Sequence, residues 1–165
     1  MPQGDCLQIL FSHDRWATAQ LLNACDALTT EQFHQRFDMG LGSLHDTLTH
    51  VIGAMRTWTD TLADVELRPR LETDGQRRTP AELRSLLGEV ADAFAAELTR
   101  RPHGEVVTRR LMSGKTIHLT RAAALMQVLT HGMHHRAQCL NMLKQLGVKP
   151  LPPSSVVEWT WVVDK

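Results

Sequence analysis

Two histidines four residues apart, His131 and His135, lie in the stretch Thr130-His131-Gly132-Met133-His134-His135-Arg136-Ala137-Gln138. The surrounding run, Thr120 to Leu146, has no proline and one internal glycine, so it reads as a long helix. On a helix the i and i+4 side chains share a face. Both imidazoles can then reach one metal ion, provided a third ligand arrives from a neighbouring helix. Neutral imidazole suits Zn, Ni, Cu or Fe. Two ligands from one helix and one from another leave coordination positions open to water or substrate, the arrangement of a catalytic site; a structural site would want a fourth protein ligand. The H-x-x-x-H spacing alone recurs by chance on many helices. The glutamate of a metalloprotease H-E-x-x-H is absent, because Gly132 follows His131. Nine histidines in 165 residues is nonetheless a feature that asks for a chemical explanation.

The rest of the composition narrows the function classes. Lys+Arg and Asp+Glu both number 18, which gives zero net charge with neutral histidines. No basic block is present, so a nucleic-acid partner is not expected. The pairs Arg77-Arg78 and Arg109-Arg110 read as solvated surface. Cys6, Cys25 and Cys139 are scattered without a C-x-x-C, which suggests free thiols and a cytoplasmic location. No signal peptide is expected, and no apolar run approaches the ~20 residues that span a bilayer. The 42% apolar content is enough for a real core in a single domain over residues 1–165.

Four helices must position the histidines. The first is expected over Asp5 to Leu28, with Leu7, Leu10, Ala17, Leu21 and Ala24 inward and His13 at the border of the stripe as a hydrogen-bonded core residue. A short turn of helix follows, capped by Thr29 or Thr30. Ser43 opens the second long helix with Asp46 in its first turn. Its stripe is Leu44, Leu48, Val51, Met55, Trp58 and Leu62. His50 flanks that stripe on one side and His45 on the other, and periodicity does not choose between them. Asp64 to Gly75 is a charged linker. Thr79-Pro80-Ala81-Glu82 starts the third long helix with a cap, a proline at the first position and a glutamate at the third. Glu97, Arg100 and Arg101 near its end read as solvated.

Val106 to Leu119 breaks the helical pattern and reads as a hairpin turning at Ser113-Gly114. Thr120 caps the fourth long helix, whose apolar arc takes in Ala124, Leu125, Val128, Leu129, Cys139 and Leu143, with Met126 and Met133. His135 falls inside the edge of that arc, His131 just beyond it, and His134 towards the polar side. Arg136 falls within the arc, as a partly buried ion pair or a snorkelling side chain. Gly147 stops the helix, the prolines at 150, 152 and 153 make an extended exit, and Val156 to Val163 alternates weakly as an extended tail that must pack on the bundle or on another subunit. The expected fold is all-α, a four-helix bundle with a short hairpin before the last helix.

Several stretches resemble one family nearly end to end. FSHDRWATAQLL (Phe11 to Leu22), SLHDTLTHVIGAMRTW (Ser43 to Trp58), HGMHHRAQ (His131 to Gln138) and the proline- and tryptophan-bearing exit from Gly147 to Trp161 are similar to motifs of the DinB-like (damage-inducible, YfiT-like) metalloenzyme family. Ala137 stands where that family usually has glycine. The resemblance implies an up-up-down-down four-helix bundle and a three-histidine metal site, with His50 matching the second-helix ligand and His131 and His135 the fourth-helix ligands. His13 and His45 match positions near the site that are not ligands. It implies a divalent ion, Zn or Ni first and Fe or Mn after them. The activity it implies is metal-dependent chemistry on small molecules, either S-transfer with a low-molecular-weight thiol or hydrolysis. The alternative is a non-catalytic metal-binding or stress-response protein. No membrane partner is expected, and the tryptophan-bearing tail suggests a homodimer.

Overall fold

The computed structural model describes residues 4–163. In chain order these form α1 (Cys6–Cys25), α2 (Thr30–Phe33), α3 (Leu44–Ala63), a 3-10 turn (Leu71–Thr73), α4 (Pro80–Glu97), β1 (Val106–Arg110), β2 (Thr116–Thr120), α5 (Arg121–Gln145) and α6 (Val156–Val163). The protein is mostly helical with one small two-stranded sheet. Local chemistry sets the helix starts. The Ser43 and Thr120 side chains accept from Asp46 N and Ala123 N, and Thr29 and Thr79 make reciprocal capping boxes with Gln32 and Glu82. β1 and β2 pair antiparallel with Arg109 opposite Ile117, closed by a turn that includes Ser113 and Gly114.

Both α1 and α3 pack on α4 and α5, and the apolar faces of these four helices enclose the core. Leu22, Leu44, Leu48, Ile52, Leu83, Phe94, Leu125 and Leu143 at its centre have no accessible surface. Burying each such side chain contributes roughly 1.5–3 kcal/mol. The hairpin lies on α3 and α5, the 3-10 turn on α3, and α6 on α1. Among the described residues no helix is long and apolar enough to cross a membrane.

Four expectations need correction. The tail is not extended throughout: Val156–Val163 is helical. Ser155 and Glu158 start it by a reciprocal cap, Ser155 N and Oγ donating to Glu158 Oε2 while Glu158 N donates to Ser155 Oγ, and Trp159 anchors it by burial. Glu97 is buried, not solvated. It accepts at 2.8 Å from Arg121, a fully buried side chain that also donates to the carbonyls of Leu62 and Glu97, and so ties the start of α5 to the ends of α3 and α4. A guanidinium taken that far from water needs an anionic partner, and Glu97 supplies it. Met126 and Met133 are exposed, Met133 by 60%, because the part of α5 covered by α1 and α3 is narrower than the arc of apolar residues. Arg109 is half-buried, with its guanidinium carbon 4.1 Å from the centre of the Trp58 ring.

Candidate metal centre

His50 comes from α3, His131 and His135 from α5, and the packing of these two helices brings the three rings together. His131 Nε2 lies 3.1 Å from His50 Nε2 and 3.2 Å from His135 Nε2. The three rings offer ligand atoms that all fall within 4.8 Å of one another. Three imidazole nitrogens each about 2.0–2.1 Å from one tetrahedral ion would stand about 3.3 Å apart. The observed spacing therefore fits a shared ion with little movement.

Neighbouring side chains turn these nitrogens inward. His50 Nδ1 donates to Glu72 Oε1 at 2.8 Å, and His135 Nδ1 donates to Gln138 Oε1 at 2.8 Å. With the proton held on Nδ1, each ring presents the Nε2 lone pair to the centre. Glu72 also accepts from Arg70 at 2.7 Å. Burial opposes ionisation of Glu72, but the hydrogen bonds from His50 and Arg70 outweigh it and hold the carboxyl down at about 2. His131 is pulled down to about 4 by burial first and then by its neighbours His135 and His50. Burial also lowers His135, against the opposing hydrogen bond to Gln138. Both rings are thus neutral near pH 7, the form that binds metal. With the His131 proton on Nδ1 as well, three Nε2 lone pairs converge, a donor set that fits a divalent ion.

A family model described as the DinB family matches residues 1–159. The chain belongs to the DinB family. Protein DinB of Bacillus subtilis (strain 168) is 24% identical to it over 153 residues, covering 87% of each chain. A DinB-like protein of Bacillus cereus ATCC 10987 superposes with a TM-score of 0.67 at 18% identity, over 90% of this chain and 96% of that one. A second DinB-like structure, from Bacillus subtilis, gives 0.63 at 15% identity, over 90% and 98%. At these identities the solved structures speak to the fold alone.

In this DinB-family chain the remaining histidines fall elsewhere. His134 is exposed and accepts from Gln138 Nε2 at 3.1 Å, which steadies the amide that orients His135. His13 is buried, 2.9 Å from the Ser154 carbonyl and packed near Trp159 of α6. His45 is held by Asp46 at 2.9 Å and stacks near His34 and Phe33. Neither His13 nor His45 joins the three. A recess of about 430 Å³, lined in part by His45, Asp46, Thr49, Leu71 and Gln76, borders the centre through Glu72.

Sequence reasoning missed Glu72 and Arg70, because the linker carrying them has no periodicity to place it. Its 3-10 turn rests on α3 at Gly53, where a Cβ would lie 3.0 Å from Glu72 Oε2. Gln138 was in view, three residues after His135 in the same motif. Arg136, placed in the apolar arc, is a buried ion pair with Asp14 of α1 and also reaches Thr18.

Proposed function

We propose that this chain is a divalent-metal-dependent enzyme of small-molecule scope, performing thiol-dependent S-transfer or hydrolysis at a centre formed by His50, His131 and His135. The observation that carries the reading is the convergence of three Nε2 atoms, two of them on rings whose Nδ1 protons are taken up by Glu72 and Gln138. When bound, a divalent ion would supply Lewis acidity that favours the ionised form of a thiol or a water. Zn or Ni suits the all-imidazole donor set best, with Fe or Mn after them. Three protein ligands leave room for a substrate atom, and all three rings are only half-buried, so the centre can be reached from solvent. The neighbouring recess is within the roughly 300–1,000 Å³ range of small-molecule sites. Glu72 and Arg70 hold the protein side of the centre in place.

The same reading takes α1, α3, α4 and α5 as an up-up-down-down bundle, which is supported by the way α1 and α3 share α4 and α5 as neighbours. It takes the protein as a cytoplasmic homodimer, with exposed Trp161 and Val157 of α6 as candidate contacts.

The test is metal content by elemental mass spectrometry on untagged protein purified without chelator, beside His50→Ala, His131→Ala and His135→Ala. About one equivalent in wild type and none in the variants, with the helical CD signal retained, supports the centre. A panel of low-molecular-weight thiols with electrophilic acceptors then separates S-transfer from hydrolysis. No metal after reconstitution with Zn, Ni and Mn ends the enzyme reading.

A further inference from the structure

Among the described residues, three arginine side chains make no hydrogen bond or ion pair: those of Arg77, Arg109 and Arg110. Arg77 and Arg110 are exposed, so water serves them. Arg109 is different. Its Nε and Nη1 are shut off from solvent and have no partner. Its guanidinium lies over Trp58, a ring that is itself buried. A cation–π contact is worth about 0.5–2 kcal/mol and leaves the in-plane N–H groups unserved. A half-buried guanidinium with idle donors is a costly arrangement unless an anion completes it.

Its surroundings point the same way. Arg109 is on β1, and the hairpin rests on α3 and α5, the two helices that carry the three histidines. Burial pulls the Arg109 guanidinium below its ordinary value, with a further contribution from the charge of Arg70, and no carboxylate among the described residues pairs with it. Arg70 reaches the hairpin turn at Met112 and is hydrogen-bonded to Glu72, which holds His50. Contacts therefore run from the histidine cluster through Glu72 and Arg70 to the hairpin that carries Arg109. Along α3, His50 and Trp58 are eight residues apart, about 12 Å of helix axis.

We propose that Arg109, stacked on Trp58, is a binding site for the anionic group, carboxylate or phosphate, of a small-molecule substrate whose reacting end lies at the histidine centre. The role in substrate binding rests on the enzyme reading above. The anion site itself does not. A guanidinium suits both oxyanions, and the span along α3 asks for an elongated molecule with its charge remote from the reacting atom.

The test uses metal-loaded full-length protein titrated with acetate and, separately, with inorganic phosphate at constant ionic strength. Binding is followed by NMR at the Trp58 indole N–H and the Arg109 Nε–H. Wild type should show saturable shifts at both. Arg109→Gln should weaken binding by about tenfold or more, the loss of one charged hydrogen-bonding partner, while Arg109→Lys keeps part of it and Arg110→Gln binds as wild type. Saturation by one probe only supports the site and assigns its headgroup. Unchanged binding in His135→Ala supports the anion site even where the metal reading fails. No saturation in wild type, or equal weakening in Arg110→Gln, overturns it. So does binding that survives Arg109→Gln but is lost in His135→Ala, because the anion would then be on the metal.

Discussion

Gly132 separates two readings of the helix that carries His131 and His135. It lies one residue after His131 in α5, and the helix presses there against Asp14 of α1. A Cβ at position 132 would lie 2.6 Å from Asp14 Oδ1 and 3.0 Å from Arg136 Nη1. Alanine in a helix interior is favoured over glycine by about 1 kcal/mol, so propensity alone predicts that Gly132→Ala stabilises. The contact predicts the reverse. Asp14 is 1% exposed and is the ionic partner of Arg136, itself buried, so the carboxylate has no free space in which to retreat. Moving it breaks a buried pair, which costs about 3–5 kcal/mol. Net of the propensity gain, Gly132→Ala should lose about 2–4 kcal/mol. Gly88 of α4 is the control. A Cβ there meets nothing within 4 Å, so Gly88→Ala should gain up to about 1 kcal/mol. Urea unfolding of wild type and both variants, followed by CD at a common slope, measures the two shifts. If Gly132→Ala gains as much as Gly88→Ala, the contact with the Asp14–Arg136 pair costs nothing and the reasoning is refuted.

Glu72→Gln keeps the shape but removes the carboxylate that orients His50. Metal affinity should fall about 10–100-fold with the CD spectrum unchanged, and competition against a chromogenic chelator reads it directly; unaltered affinity would remove Glu72 from the centre. Acid should destabilise the metal-free protein in a defined window. His13, His34, His131 and His135 are all lowered in the folded state by burial, so the unfolded chain takes up their protons first. Their stabilisation is complete above about 6.5 and is lost as pH falls towards 4, with His131 contributing at most about 3 kcal/mol. The urea midpoint should drop through that window, and Zn should restore it until protons displace the ion. A midpoint independent of pH across the window would contradict the burial of these rings.

The Asp14–Arg136 pair and the Arg121–Glu97 pair divide the work of holding α5. The first clamps it to α1 next to His135, and the second fixes its start to the ends of α3 and α4. Both are buried charge pairs. Their value lies in how badly one partner fares without the other, which penalises alternative packings of the same apolar helices. A centre built from side chains of two helices depends on that registry, since a small slide of α5 against α3 would separate His50 from the other two rings.

What the sequence by itself determined is local. Ser43, Thr79-Pro80-Ala81-Glu82 and Thr120 mark helix starts because their side chains satisfy backbone N–H groups within the next turn, a matter of neighbours in the chain. The hairpin at Ser113-Gly114 and the shared face of His131 and His135 follow from equally short spacings. Ser155 and Glu158 carried the same kind of signal, hidden by a β-branched run that alternates like a strand. The resemblance to a family pointed to His50. The residues themselves left it level with His45, because helical periodicity gives an angle about one axis and does not say which neighbour occupies that angle. Only the tertiary structure decided that α5 lies on the His50 side of α3, that Glu72 reaches across 22 residues to that ring, that Glu97 is the counter-charge of Arg121, and that Arg109 rests on Trp58. Each of these joins groups far apart in the chain. Their energies depend on burial, and burial exists only once the helices have packed.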